Sequence, residues 1–469
     1  MSATPVVGLP LQTLALIVPS AVGRAVLVVV AVWLACADPA AAADVKVVAV
    51  RVPPDRYGDA SYAYVELRAA AGEANAVTVS GGPEAVVVRD SAAPLTGGAG
   101  CRPLGPHEVQ CRSADLRLLE VRLLGEDGDD ALTDAAPGIY GSLYGGPGDD
   151  VLTGDDDGQV QDGGEDADRL VGGAGRDVLH GGAGPDAVDA GDGDDRVRGD
   201  PAGAGGWPDV LDGGRGDFDH VGYDGRTVGV AIDLASSGPQ GAPGERDLLL
   251  GFEQARGGDG ADVIRGTDGP NHLEGAGPPG AGDLLDGRRG HDTLSGSFSD
   301  DRLEGGPGND RLDGGGGTDL YRAGAGNDRL SLGLAPFWDP RDQARATVAC
   351  GPGRDFANDP DARTLVPADC EEISFELIDL RVRRAGPRRL VLSVPELRTV
   401  LCHLTVRIGR PGGGRPLARR TQRIDPDRPG PLVLRWRRSA RGRLVVGLRG
   451  TYRCRPGHGR RLGAFALAP

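Results

Sequence analysis

The sequence predicts an all-β chain: a parallel β-roll solenoid with an N-terminal β cap and a C-terminal β-sandwich-like domain. Three observations carry that prediction. A nine-residue unit, Gly-Gly-x-Gly-x-Asp-x-apolar-x, recurs in one phase. It stands in perfect tandem over 172–189 (GGAGRDVLH, GGAGPDAVD) and returns at Gly145, Gly257, Gly305 and Gly314. A short apolar strand every nine residues, joined by a glycine turn, is the mark of stacked parallel coils. Glycine accounts for 79 residues and aromatics for only 4%, which argues against an ordinary packed core. Finally, 469 residues are too many for a single core, so several domains are expected.

In chain order, residues 1–43 read as a signal peptide. An apolar stretch over 25–35 follows Arg24, and the alanines at 40–43 before Asp44 offer small-residue cleavage positions. The stretch is too short to cross a bilayer as a helix, and no transmembrane anchor is expected elsewhere. Residues 44–124 alternate apolar and polar side chains at 45–52, 62–69, 76–79, 85–89 and 116–124, a period-of-two signal for strands. A solenoid exposes an apolar end, and this segment is the natural cap.

The first repeat block spans 125–221. It has a near-miss at Gly125 (GEDGDDALT), then Gly145, Gly163, Gly172, Gly181 and Ala190. Residues 222–255 lose the phase and are expected to insert two longer strands joined by the Gly/Pro/Ser loop 236–244. The second block, 256–331, runs from Gly257 through Gly266, Gly287, Gly296, Gly305, Gly314 and Ala323. Residues 332–379 are expected to close the roll, and 380–469 return to apolar alternation.

Apart from Cys36, the cysteines form three local pairs: Cys101/Cys111, Cys350/Cys370 and Cys402/Cys454. An even set in an exported chain reads as disulfides. Six cysteines allow about fifteen connectivities, and the short loops favour neighbour pairing. No Cys-x-x-Cys or Cys/His cluster offers metal ligation instead.

Charge is sharply divided. Residues 125–331 hold 44 Asp and Glu against 15 Arg, whereas 381–469 hold 23 Arg against three acids. In the repeat, glycines at positions 1, 2 and 4 permit turns closed to other residues and aim carbonyls inward. Position 6 adds a short carboxylate at the turn's exit. Nine residues make half a coil, so turns two units apart lie over one another and a cation between them collects oxygens from both. An all-oxygen, adaptable cage suits Ca²⁺, whereas Zn²⁺ would want His or Cys. The acidic surplus repels itself without the ion, so binding and folding are expected to be one event.

The tandem units resemble the RTX family of secreted calcium-binding repeats. Their setting resembles exported RTX-like proteins of actinobacteria, through Tyr223-Asp224-Gly225-Arg226, residues 230–234, and the run 350–355 with Cys370. The resemblance implies a secreted protein with Ca²⁺ as its ion. It implies position-6 ligands at Asp130, Asp150, Asp168, Asp177, Asp186, Asp195, Asp262, Asp292, Asp301, Asp310, Asp319 and Asp328. Asn271 replaces the acid in one unit, Asp166 replaces the fourth glycine in another, and insertions shift Asp209 and Asp283. Those coils are expected to bind weakly. Asp233, Glu245, Asp247 and Glu253 are expected at the solvated surface, the alternative being that they cap a metal site.

Nothing in the sequence points to catalysis. There is no His-Glu-x-x-His, no Gly-x-Ser-x-Gly elbow and no Gly-Lys-Ser/Thr loop, and the seven histidines are scattered. The expected role is therefore structural or adhesive, at the cell surface or in the extracellular matrix. The alternative is an exported polysaccharide-acting hydrolase or lyase using a carboxylate pair on the roll. The Arg-rich segment 380–469 reads first as a β-sandwich with arginines on its solvent faces, and alternatively as a basic face for an acidic envelope polymer or exopolysaccharide. Nucleic acid is not expected, because few aromatics are present to stack on bases.

Overall fold

The computed structural model describes residues 43–50, 61–332 with short breaks at 115, 202–205 and 279, 347–358, Cys370, and separate strands on either side. Two units separate. In the first, 1–42, Leu14–Pro19 pairs antiparallel with Ala25–Val30. The second holds everything else, and its regular elements among the described residues are all strands. No helix among them is long and apolar enough to cross a membrane.

The nine-residue spacing accounts for the architecture. Each unit yields one short strand, and strands two units apart pair in parallel. Leu152 lies beside Leu170, which lies beside Val188; Leu294 lies beside Leu312, which lies beside Leu330. Successive units therefore fall on alternate faces of a flattened coil. One face runs unbroken from Tyr140–Pro147 to Phe356–Asn358. The other is made in two lengths, Ala131–Ala135 to Leu248–Leu250 and then Ala231–Asp233 to Thr347–Ala349. The position-8 side chains point inward as buried columns, including Leu170, Leu179, Ile264 and Leu303. Each such leucine contributes about 1.5–3 kcal/mol over an exposed one.

The segment before the repeats supplies the first rung of both faces. Tyr62–Arg68 lies between Ala43–Val50, antiparallel, and Leu118–Leu124, parallel, and the latter pairs with Tyr140–Pro147. Ala76–Gly82 pairs with Ala131–Ala135 on the opposite face. A disulfide, Cys101–Cys111, ties the antiparallel strands Cys101–Gly105 and Glu108–Cys111.

Residues 222–255 do not form an insertion of two long strands. They give three-residue strands, Ala231–Asp233, Leu248–Leu250 and Gln254–Arg256, each paired in parallel within the stack. The reason is lateral: strand pairing fixes register rung by rung, and extra residues bulge from the turns without disturbing it. At the far end, Cys350-Gly-Pro-Gly-Arg-Asp355 forms one more turn of the same kind, and Cys350 is bonded to Cys370. Beyond it Glu372–Phe375, Leu380–Arg384, Arg389–Ser393 and Leu432–Arg435 pair antiparallel in sequence. A further antiparallel sheet joins Ala418–Arg423, Leu401–Gly409, Leu444–Tyr452 and Gly459–Leu467. Cys454 lies outside the described residues, and so does its expected bond to Cys402.

Candidate metal centre: carboxylate columns along the coils

The position-6 aspartates stack. On the face beginning at Ala131–Ala135, the N–H of each donates to Oδ1 of its counterpart one coil on: Asp130 to Asp150, Asp150 to Asp168, Asp168 to Asp186, at 2.7–3.0 Å. The unbroken face carries Asp177 to Asp195 and then, further along, Asp292 to Asp310 and Asp310 to Asp328. The third column holds Asp262, Asp283, Asp301 and Asp319. All twelve sequence-assigned aspartates stand in these columns, and each is at most 3% exposed.

One oxygen of each is thus satisfied by a charge-assisted bond. The other is left over. Oδ2 has no donor in Asp130, Asp150, Asp168, Asp177, Asp186, Asp195, Asp292, Asp301, Asp310 and Asp328. In Asp262 it accepts the Gly258 N–H, and in Asp319 the Tyr321 hydroxyl. Neighbouring coils are about 4.8 Å apart, a separation at which two carboxylates repel by on the order of 3 kcal/mol at an effective dielectric of 20. That exceeds the roughly 1 kcal/mol of an ordinary hydrogen bond. The columns therefore need protons or cations.

The glycines show where a cation fits. Position 1 is glycine for room: a Cβ at Gly145 would overlap Oδ2 of Asp150 and the carbonyl oxygen of Gly163. Positions 2 and 4 are glycine for conformation, Gly146 and Gly148 having φ of +116° and +136°. Their Cβ positions would overlap the carbonyl oxygens of Glu126 and Gly128 in the preceding coil. Orphaned carboxylate oxygens and columns of carbonyls thus line the turns together. Among the described residues no three His, Cys, Asp or Glu converge on a ready-made metal cage. A cation here draws on backbone oxygens as well, the donor set that Ca²⁺ accepts.

The structure bears on the sequence reading at several positions. Asp209 and Asp283 are not displaced by their insertions, since they accept the N–H of Asp186 and Asp262 in register. Asp166 holds the fourth position of its turn at φ +78°, and Asp168 still takes its place in the column. Asp247 and Glu253 are not surface acids but column members, accepting from Asp209 and Asp219. Asp219 and Asp355 were also missed. Strand register reveals Asp219, before which the phase of the sequence is broken, whereas Asp355 stands at position 6 of the local run 350–355.

Glu245 is buried as well, in a cluster that joins the two blocks. The Arg226 guanidinium, 8% exposed, lies 2.7 Å from Glu245 Oε1 and 3.7 Å from Asp200 Oδ2. It also donates to the Pro201 carbonyl. Its own carbonyl accepts the N–H groups of Asp259 and Gly260, the first turn of the second block. Beside it the Tyr223 hydroxyl donates to Asp247 Oδ2. Here carboxylate oxygens that elsewhere lack donors are met by Arg226, Tyr223 and backbone N–H groups. Asp233 is half-buried and paired with Arg288.

The family model for the RTX calcium-binding nonapeptide repeat, in four copies, matches residues 142–157, 162–197, 256–277, 280–312 and 295–330. These are RTX repeats. Calcium is the ion such repeats bind, and eleven of the twelve sequence-assigned aspartates lie within the matched residues, Asp130 being the exception. No curated protein matches the chain.

Burial raises the carboxylates' proton affinity, and nearby acids, in the column or beside it, add to it. Asp150, Asp177, Asp186, Asp292 and Asp301 are pushed up to about 7, and Asp168 and Asp209 to about 8. The unfolded chain would titrate these groups near 3.9. The folded, calcium-free roll therefore holds more protons than the unfolded chain between pH 4 and 8. Its stability is greatest below pH 4 and falls as pH rises through 7–8. In chelator, acidification from pH 8 to 5 is expected to raise strand content by far-ultraviolet circular dichroism. With saturating calcium the trend reverses, because protons compete for the same oxygens.

Proposed function

We propose that this chain is an exported calcium-dependent structural or adhesive protein whose roll folds on the ion. The twelve position-6 aspartates are its principal ligands. The observation that carries the reading is the stack of buried carboxylates with orphaned oxygens, in a segment with 44 acids and 15 arginines. Each turn offers Oδ2 and carbonyl oxygens, and Ca²⁺ placed between coils offsets the repulsion along the column. Asp219 and Asp283, whose Oδ2 atoms also lack donors, join the ligand set. Asp262 and Asp319 give up the Gly258 and Tyr321 bonds, or bind more weakly.

Affinity in the 10⁻⁴–10⁻³ M range, roughly that of extracellular calcium modules, would make the roll fold outside the cell and stay open within it. The Arg-rich segment 380–469 then supplies the adhesive face, docking to an acidic envelope polymer or exopolysaccharide.

Calcium titration by calorimetry on the full chain tests the ligand assignment. Asp177→Ala and Asp310→Ala are each expected to lower the number of ions bound and to weaken binding in adjacent turns. Unchanged titrations in both variants would remove these residues from the ligand set. A parallel screen against acidic polysaccharides reads the adhesive role as retention that falls steeply with salt. Degradation of the polymer would favour the hydrolase or lyase reading instead.

A further inference from the structure

The long carboxylate column begins with two residues that are not acids. Strand pairing places Gly141 beside Gln159, and the Gln159 N–H donates to Asp177 Oδ1 in the usual way. Gly141 and Gln159 are thus the first two rungs of the column that continues through Asp177 and Asp195. Neither fits the repeat pattern, and the matched repeats begin only at residue 142.

The missing carboxylate comes from elsewhere. Asp134, at the far end of the same turn, is fully buried and points inward from Ala131–Ala135 beside Leu132. Its Oδ1 accepts the Ala136 N–H, and its Oδ2 has no donor. A Cβ built on Gly141 would lie 2.5 Å from that Oδ2 and 3.1 Å from Oε1 of Gln159. In an ordinary turn of this roll, the first residue is glycine and the sixth residue's carboxylate fills the room beside it, as Asp150 does beside Gly145. Here the two have changed places: the acid opens the turn and the glycine closes it.

One more oxygen faces the same region, and a second carboxylate adjoins it. Gln159, fully buried, donates through Nε2 to Asp155 Oδ1, which leaves its Oε1 turned inward without a donor. Asp155 Oδ2 is buried and unbonded as well. The negative charges acting on Asp134 are those of Asp155 and Asp157. None of the groups acting on Asp134 is cationic, so a proton or a bound ion has to neutralise these carboxylates.

We infer that Asp134, Gln159 and Asp155 form a calcium site between the first two coils of the roll, with the roles of the turn's first and last residues exchanged. Two carboxylates and an amide oxygen beside backbone carbonyls are hard-cation ligands, and the site would fasten the first coil to the second. The inference rests on the calcium reading of the roll.

Ions per chain, counted by equilibrium dialysis on the full-length protein with calcium alone, test it. Asp134→Ala is expected to bind one ion fewer than wild type. The double variant D134G/G141D restores the usual order, and Gly141 does not have a left-handed φ, so an aspartate fits there once Asp134 is gone. It is expected to regain the ion. An unchanged count in Asp134→Ala overturns the site, and so does a folded double variant that stays one ion short. If Asp134→Ala fails to fold, the double variant alone decides. Asp310→Ala separates the two readings. If it loses calcium and Asp134→Ala does not, only this site fails; if wild type binds none, the calcium reading of the whole roll fails with it.

Discussion

Removing calcium from the full chain is expected to abolish most of its strand signal in far-ultraviolet circular dichroism, and returning calcium to restore it. The magnitude follows from linkage. Each site held at a hundredfold excess over its Kd contributes about 2.7 kcal/mol to the folded state. A handful of sites then outweighs the 5–15 kcal/mol typical of a whole domain. Removing the ions also re-exposes the column repulsion, because the carboxylates of Asp150, Asp168 and Asp186 stand one above another. A solenoid transmits such a loss from coil to coil, since each rung contacts only its neighbours. A spectrum unchanged by chelator at neutral pH would show that hydrophobic columns such as Leu170, Leu179 and Leu303 hold the roll without the ion.

Arg226→Ala should be the most damaging single substitution outside the columns, at about 3–5 kcal/mol, the cost of leaving buried acids without their cation. Glu245 and Asp200 would lose the guanidinium that compensates them. The seam between the two RTX blocks would lose its only buried arginine among the described residues. Thermal unfolding in calcium is therefore expected to split into two transitions, one per block. Glu245→Ala in the same chain should recover part of the loss, because the main uncompensated charge leaves with it. A single, unshifted transition in Arg226→Ala would show that the Leu248–Leu250 and Gln254–Arg256 pairings alone hold the seam.

Much of the candidate site was legible in the repeat itself. Position 6 of each clear unit is a column aspartate, because the nine-residue period and the two-unit coil are properties of adjacent residues. What the period could not reveal lies where the phase breaks. Asp209, Asp219, Asp247, Glu253 and Asp283 each follow an insertion or an irregular turn, yet each accepts the N–H of the preceding column residue. Counting along the chain loses them, whereas pairing across it finds them. The glycines teach a similar lesson. Position 1 looks like a conformational requirement in the sequence, but in the fold its cause is the neighbouring carboxylate that occupies its side-chain space.

The sequence by itself determined the coil: its period, its strands, its acidic turns and the ion that suits them. Local chemistry settles those matters, since glycine freedom, alternation and carboxylate spacing act over nine residues. Only the tertiary structure decided which acids share a column, that Arg226 bridges the two blocks, and that Asp134 stands in for a carboxylate absent at Gly141. Those outcomes depend on strand pairing, and on backbone N–H groups donating to carboxylates, between residues eighteen or more apart. Lateral pairing absorbs insertions that the linear pattern cannot, and so it carries the register past the point where the repeat fades.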